Sequence, residues 1–216
     1  MSDPKTRKFP GSQIDVEWDG RLCIHMAECG QANNELFVGG RDPWGQPDRV
    51  SLEEVIDVVK RCPTGALTFE AKEAAMVEKP DDENTVTVTY NGPYFIRGDI
   101  DIDDAPTDMP GVAFRAALCR CGQSKNKPFC DNSHEQANFK DYGAVGDKGE
   151  GISAKGGKLT VKSLEDGPLL LAGNITIING SGRVAWSGTQ AALCRCGASQ
   201  NKPFCDGSHK AAGFKS

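Results

Sequence analysis

Apolar and polar residues alternate through TVTVTY at 85–90, which places Val86 and Val88 on one face of a strand. An Asn-Gly turn follows, and then a second apolar run, Tyr94 to Ile96. The same order returns further on, with Asp-Gly before Leu169 to Leu171. Further strand-like segments lead into Leu118 and Leu193. After His134 and His209 the pattern becomes helical and short, over 133–137 and 208–212. Asn138 and Gly213 follow these turns. Both residue types tolerate the left-handed conformation, so positive φ and a helix C-cap are expected at each, with the next Phe packing back.

The first third has a different pattern. Ile14, Val16 and Trp18 alternate as a strand, and 66–69 forms another after Thr64-Gly65. Ser51 and Glu54 form a capping box ahead of an apolar helical face of Leu52, Val55, Ile56 and Val59. Cys62-Pro63 ends that helix. A short loop–helix region is expected after Cys29. Together the elements predict an α+β protein: an N-terminal α+β domain, then a β-rich part with short helices.

The β-rich part is an internal repeat with an offset of 75 residues. AALCRCGQSKNKPFCDNSHEQANFK (116–140) aligns with AALCRCGASQNKPFCDGSHKAAGFK (191–215), identical at 19 of 25 positions. Upstream, NGPYFIRGDIDI aligns with DGPLLLAGNITI without a gap. The expected units are an N-terminal domain over 1–79, repeat one over 80–141, a Gly/Lys-rich linker over 142–158 and repeat two over 159–216.

Composition narrows the class. The 216 residues hold 25 Gly, 12 Pro and 9 Cys, which suits small loop-rich units. No apolar run reaches the roughly 18 residues of a membrane span, and MSDPKTRKFP lacks a secretion-signal core. A soluble cytoplasmic protein is expected. The net charge of −5 argues against bulk nucleic-acid binding. Charge is uneven: 80–115 carries eight acidic and two basic residues, whereas 191–215 carries one acidic and four basic.

In a reducing compartment, clustered cysteines more often hold metal than disulfides. Cys119, Cys121, Cys130 and His134 share their spacing with Cys194, Cys196, Cys205 and His209. Each set offers three thiolates and an imidazole, to zinc or to an iron–sulfur cluster. Structural zinc favours Cys-x2-4-Cys knuckles. The tighter Cys-x-Cys suits two thiolates on one iron of a two-iron cluster, with Cys130 and His134 on the other. Asp131 and Asp206 read as N-cap or first-turn acids. Lys127 and Lys202 are candidates for bonds near the cluster sulfides.

With Ser124/Ser199, Pro128/Pro203, Phe129/Phe204 and Asp131/Asp206, these two segments resemble the CDGSH iron–sulfur (NEET) family. Asn132 departs from the motif's Gly. The resemblance implies a [2Fe-2S] cluster on three Cys and one His in each repeat. It also implies a β-rich cap and a pseudo-dimer whose halves exchange a strand, built here within one chain that is expected to be a monomer. One neutral imidazole in place of a thiolate raises the expected potential above the about −400 mV of all-Cys plant-type ferredoxins. It also makes the cluster sensitive to protons.

Cys23, Cys29 and Cys62 remain. Cys23-x2-Met26-x2-Cys29 with Cys62-Pro63 is similar to the bacterial ferredoxin pattern, with Met26 in the second Cys position. The segment 10–70 resembles divergent mono-cluster ferredoxins. The likeness implies one [3Fe-4S] cluster on three thiolates, or a [4Fe-4S] cluster with a fourth ligand such as His25 or solvent. The expectation for the whole chain is a non-enzymatic one-electron carrier that works with a redox partner protein. The alternatives are storage or transfer of clusters to an apo iron–sulfur acceptor, redox and pH sensing, or a structural zinc module.

Overall fold

The structure, a computed structural model, describes residues 5–32, 35–73, 76–103 and 105–216. The N-terminal unit is a three-stranded antiparallel sheet: β1 (Thr6–Phe9), β2 (Ile14–Asp19) and β3 (Leu67–Ala71), with β2 central. Helix α1 (Leu52–Arg61) carries both bonds of the Ser51–Glu54 capping box and ends at Cys62. It buries Val55, Val58 and Val59 against Phe9, Val16, Leu36, Phe37 and Leu67. β1 has no counterpart in the sequence expectation: TRKF is polar except for Phe9 and lies on the sheet's edge. Around Cys29 the described residues form a turn, closed by Gln31 N–H to Ala27 O at 2.8 Å, and a short 3-10 helix follows at Pro47–Arg49.

Seven strands form the second sheet. Repeat one gives β4 (Thr85–Val88), β5 (Tyr94–Arg97), β6 (Asp99–Ile102) and β7 (Arg115–Leu118). Repeat two gives β8 (Lys158–Ser163), β9 (Leu169–Ile178) and β10 (Val184–Leu193). β4, β5 and β7 pair antiparallel, as do β8, the first half of β9, and the end of β10.

The repeats then cross. β6 leaves its own repeat and runs parallel to β8, with Ile100 opposite Leu159. The second half of β9 runs parallel to β4, with Ile177 opposite Val86. Each crossing starts at a glycine with φ near +137°: Gly98, φ +136°, and Gly173, φ +139°. A side chain at Gly98 would strike Asn84, and one at Gly173 would strike the backbone at Lys158. Asn84 fastens the junction. Its Nδ2 donates to Gly157 O (2.9 Å) and Asn174 O (3.0 Å), and its Oδ1 accepts from Asp99 N–H (3.1 Å).

One apolar core results from the exchange. It holds Val86, Val88, Ile96, Ile100 and Leu118 from repeat one with Leu159, Leu171, Ile175, Ile177 and Leu193 from repeat two. Leu22 and Ala66 of the N-terminal unit join it. Buried Arg115 pins that unit to β7: its guanidinium donates to Cys62 O (3.0 Å) and Leu67 O (3.1 Å) and pairs with Glu78. Two short helices, α2 (Ser133–Gln136) and α3 (Ser208–Ala211), follow the repeated motif. No helix among the described residues is long and apolar enough to cross a membrane.

Candidate metal centres

Cys119 and Cys121 continue directly from β7, as Cys194 and Cys196 do from β10. Successive side chains in extended chain point to opposite sides. The two cysteines of each pair therefore share a side: their Sγ atoms are 3.8 Å apart in repeat one and 3.7 Å in repeat two. The intervening arginines, Arg120 and Arg195, point the other way into the protein and are 1% and 2% exposed. Arg120 donates to Gly92 O (2.8 Å) and Thr89 O (2.6 Å) and pairs with Asp141. Arg195 donates to the matching carbonyls, Gly167 O (3.0 Å) and Leu164 O. Each arginine thus ties its Cys-x-Cys to the first hairpin of its own repeat. The sequence reading gave neither a role, although the same residue in both copies was the available signal.

The third cysteine is held beside the first two by backbone bonds. Cys119 N–H donates to Pro128 O, and Cys130 N–H to Ala117 O, both at 2.8 Å. Cys194–Pro203 and Cys205–Ala192 repeat these distances. Backbone N–H groups of Gln123, Asn132, Ala198 and Gly207 each lie 3.4 Å from a cysteine Sγ, a donor arrangement that favours thiolate.

The helix after the third cysteine differs from expectation at its start. Asn132 (φ +71°) and Gly207 (φ +85°) occupy the N-cap in left-handed conformation, and the aspartates precede them. Asp131 Oδ1 still accepts from Ser133 N–H (3.0 Å), while Oδ2 accepts from Lys125 N–H (2.8 Å). Asp206 does the same with Ser208 and Gln200. Each carboxylate braces the loop between the cysteines; it is not itself the cap. The helix ends as expected: Asn138 and Gly213 have φ of +51° and +61°. Phe139 N–H returns to His134 O and Asn138 N–H to Glu135 O, a Schellman motif, with the same bonds in repeat two.

That helix brings His134 Nδ1 to 3.5 Å from Cys130 Sγ. In repeat two, His209 Nδ1 instead lies 2.8 Å from Asp166 O. Lys127 Nζ sits over the Phe214 ring and Lys202 Nζ donates to Ser199 O. From repeat one, Tyr94 Oη reaches across to within 3.0 Å of both Cys194 O and Pro203 O.

These distances can be compared with metal bonding. Two thiolates about 2.3 Å from a tetrahedral metal lie about 3.8 Å apart; a thiolate and an imidazole nitrogen at about 2.0–2.1 Å lie about 3.5–3.6 Å apart. Cys119–Cys121, Cys194–Cys196 and Cys130–His134 each match one such edge. Among the described residues, no three His, Cys, Asp or Glu side chains converge on one ion. The donors come as pairs.

Burial works against bare thiolates at most of these positions. The hydrogen bond between Cys119 and Cys121 lowers Cys119 and, together with burial, raises Cys121. Burial pushes Cys130 up to about 12 and Cys194 to about 11. Burial lowers His134, which favours the neutral imidazole that can ligate. A metal held by these thiols would take the place of their protons.

The N-terminal cysteines come together around a separate cavity of about 380 Å³. Cys23, His25, Met26, Cys29 and Cys62 line it with Trp18 and Trp44. His25 (φ +56°) and Ala27 (φ +62°) bend the loop around it in a conformation few non-glycine residues adopt. Cys29 is pushed up by burial and by the neighbouring Cys62 and Cys23 sulfurs. His25 and Met26 lie at the exposed edge.

Comparison with known proteins fits this geometry. The family model "Iron-binding zinc finger CDGSH type" matches residues 91–135 and again 166–210. The model "Divergent 4Fe-4S mono-cluster" matches 9–72. The chain is an iron–sulfur protein with two CDGSH-type segments behind a divergent mono-cluster domain. Protein YjdI of Escherichia coli K12 is 38% identical over 72 residues, which is 33% of this chain and 95% of YjdI; YjdI of strain O157:H7 gives the same values. A "CDGSH iron-sulfur domain-containing protein 2 homolog" of Drosophila ananassae is 52% identical over 31 residues, 14% of this chain and 23% of that protein. No solved structure matches. With these domains the protein binds iron–sulfur groups.

Proposed function

We infer that the chain carries two [2Fe-2S] clusters and one [3Fe-4S] or [4Fe-4S] cluster and serves in one-electron transfer with a protein partner. The observation that carries this reading is the pairing of donors. Cys119 with Cys121, and Cys130 with His134, suit two metals side by side; repeat two supplies Cys194, Cys196, Cys205 and His209 in the same order. When bound, such a cluster accepts and returns a single electron. The chain's own part is to fix the thiolates through backbone N–H bonds, to present a neutral imidazole, and to bury the sulfur shell. Cys23, Cys29 and Cys62 hold the third site, with His25 and Met26 at its open edge. Backbone hydrogen bonds that repeat around both CDGSH sites hold the donors in place, which suits carriage of electrons. A second reading, transfer of clusters to an apo acceptor, draws on the part-buried Cys196 and Cys205.

The test is direct. Purified protein should absorb near 450 nm, contain iron and acid-labile sulfide, and bleach and recover reversibly with dithionite and air. Zinc in place of iron overturns the reading. Paramagnetic resonance of the oxidised protein separates [3Fe-4S], which gives a signal, from [4Fe-4S], which is silent. His134→Cys or His209→Cys should each lower one potential toward about −400 mV and leave the other unchanged.

A further inference from the structure

Two segments identical at 19 of 25 positions should bury their cysteines alike, and they do not. Cys121 and Cys130 are 7% and 3% exposed, while their counterparts Cys196 and Cys205 are only part-buried. The cause lies outside the repeats. Ile24, one residue after Cys23, is 4% exposed and packs against Ala117 and Cys130, with Phe95 at the rim. Asn126, in the loop between Cys121 and Cys130, donates from Nδ2 to Arg21 O at 2.8 Å; the matching Asn201 is exposed. The segment bearing Arg21 and Ile24 is itself clamped. The Arg21 guanidinium pairs with Asp19 at the end of β2 (2.6 Å) and with Asp108 of repeat one (2.8 Å). On the second site, the ring nitrogen that would face Cys205 is engaged by Asp166 O.

We propose that residues 21–25 are a seal over the first CDGSH site, and that the second site is the one through which the chain exchanges metal with competing thiol or chelator ligands. This rests on the reading that both sites hold metal. The exchange is a ligand substitution without electron transfer: each metal–sulfur bond lost by Cys196 or Cys205 is replaced by a bond from the incoming ligand, and the released thiolate takes a proton from water. Ile24 and Asn126 exclude such a ligand from Cys130 and Cys121. Among the described residues nothing comparable covers Cys196 and Cys205, which stay part-buried.

The experiment uses the full chain as purified. A chelator is added with an alkylating maleimide, and modified cysteines are located by mass spectrometry against time while visible absorption is followed. Cys196 and Cys205 should be modified about tenfold faster than Cys121 and Cys130, because the covered pair must wait for local opening. Absorption should fall in two phases. Ile24→Ala with Asn126→Ala should bring the two pairs to the same rate. Equal rates in the natural chain, or faster modification of Cys121 and Cys130, overturn the proposal. A preference that persists in the folded double variant overturns the seal as its cause. Should the double variant fail to fold, the order in the natural chain decides. Protein isolated without iron fails the metal reading alone, since the bare thiols still report whether the first site is covered.

Discussion

Arg120 and Arg195 are the side chains on which the two Cys-x-Cys segments rest. Both donate to carbonyls and lie against a phenylalanine ring, but Arg120 also pairs with Asp141, and no ion pair to Arg195 is seen among the described residues. Arg120→Met should therefore strand a carboxylate as well as two carbonyls and cost about 3–5 kcal/mol. Arg195→Met should cost about 1–3 kcal/mol. Urea unfolding of the two variants measures the gap, and equal losses would refute the assigned role of Asp141. A second prediction concerns acid. Asp15 is 5% exposed, and its bond to Lys72, with help from Gly11 N–H and Lys8, lowers it from 3.8 to about 2. The folded form holds the proton less readily than the unfolded chain. This stabilisation is therefore complete above about pH 4 and lost as pH falls toward 2. Asp15→Asn should flatten the acid limb of an unfolding curve over that window. At this scale the ligands were legible because each is written twice, at one spacing. The arginines are also written twice, but their carbonyl partners lie about thirty positions upstream and carry no residue-type signal. Asp131 and Asp206 read as N-cap or first-turn acids but stand just before the cap, since a left-handed Asn or Gly takes the cap itself.

Among the elements, α2 and α3 are only one turn long and depend on their ends. Four-residue helices have little intrinsic stability, so the Schellman closure onto His134 O and His209 O also sets where each imidazole points. Gly213→Ala should cost about 1 kcal/mol, because the methyl opposes a φ of +61°. Asn138→Gly should be near neutral. Thermal melting checks both, and a larger loss for Asn138→Gly would contradict the account. These closures were readable from Asn and Gly before Phe. β1 was not, being a polar edge strand paired through its backbone. The segment 142–158 reads as a linker by composition, yet its backbone is bonded along repeat two: Gly180 N–H to Gly143 O, Ser187 N–H to Lys148 O and Gly151 N–H to Ser187 O. Such bonds use no side chains, so composition does not reveal them.

Over the whole molecule, the crossing of β6 and the second half of β9 makes the repeats one folding unit. Asn84→Ala removes three bonds at that crossing and should cost about 2–3 kcal/mol in a single cooperative transition. Two transitions with only one shifted would show that the repeats fold apart. The halves also touch where their ligand loops meet: a side chain at Gly122 would lie 2.7 Å from Cys196 O, and one at Gly197 would lie 2.8 Å from Cys121 O. The sequence implied an exchanged strand through its family likeness. The cover on one site was not readable, because nothing in Ile24 or Asn126 announces a contact about a hundred positions away.

Tyr94 has Leu169 as its counterpart in the second repeat, so only the second Cys-x-Cys receives a phenol at its carbonyl. In a two-fold homodimer every substitution is made twice, and both centres answer together. Here the two halves are separately encoded. Tyr94→Phe keeps the ring against Arg120 and removes only the phenol at Cys194 O, so the centre proposed at Cys119, in the same molecule and the same cuvette, serves as internal reference for the one proposed at Cys194.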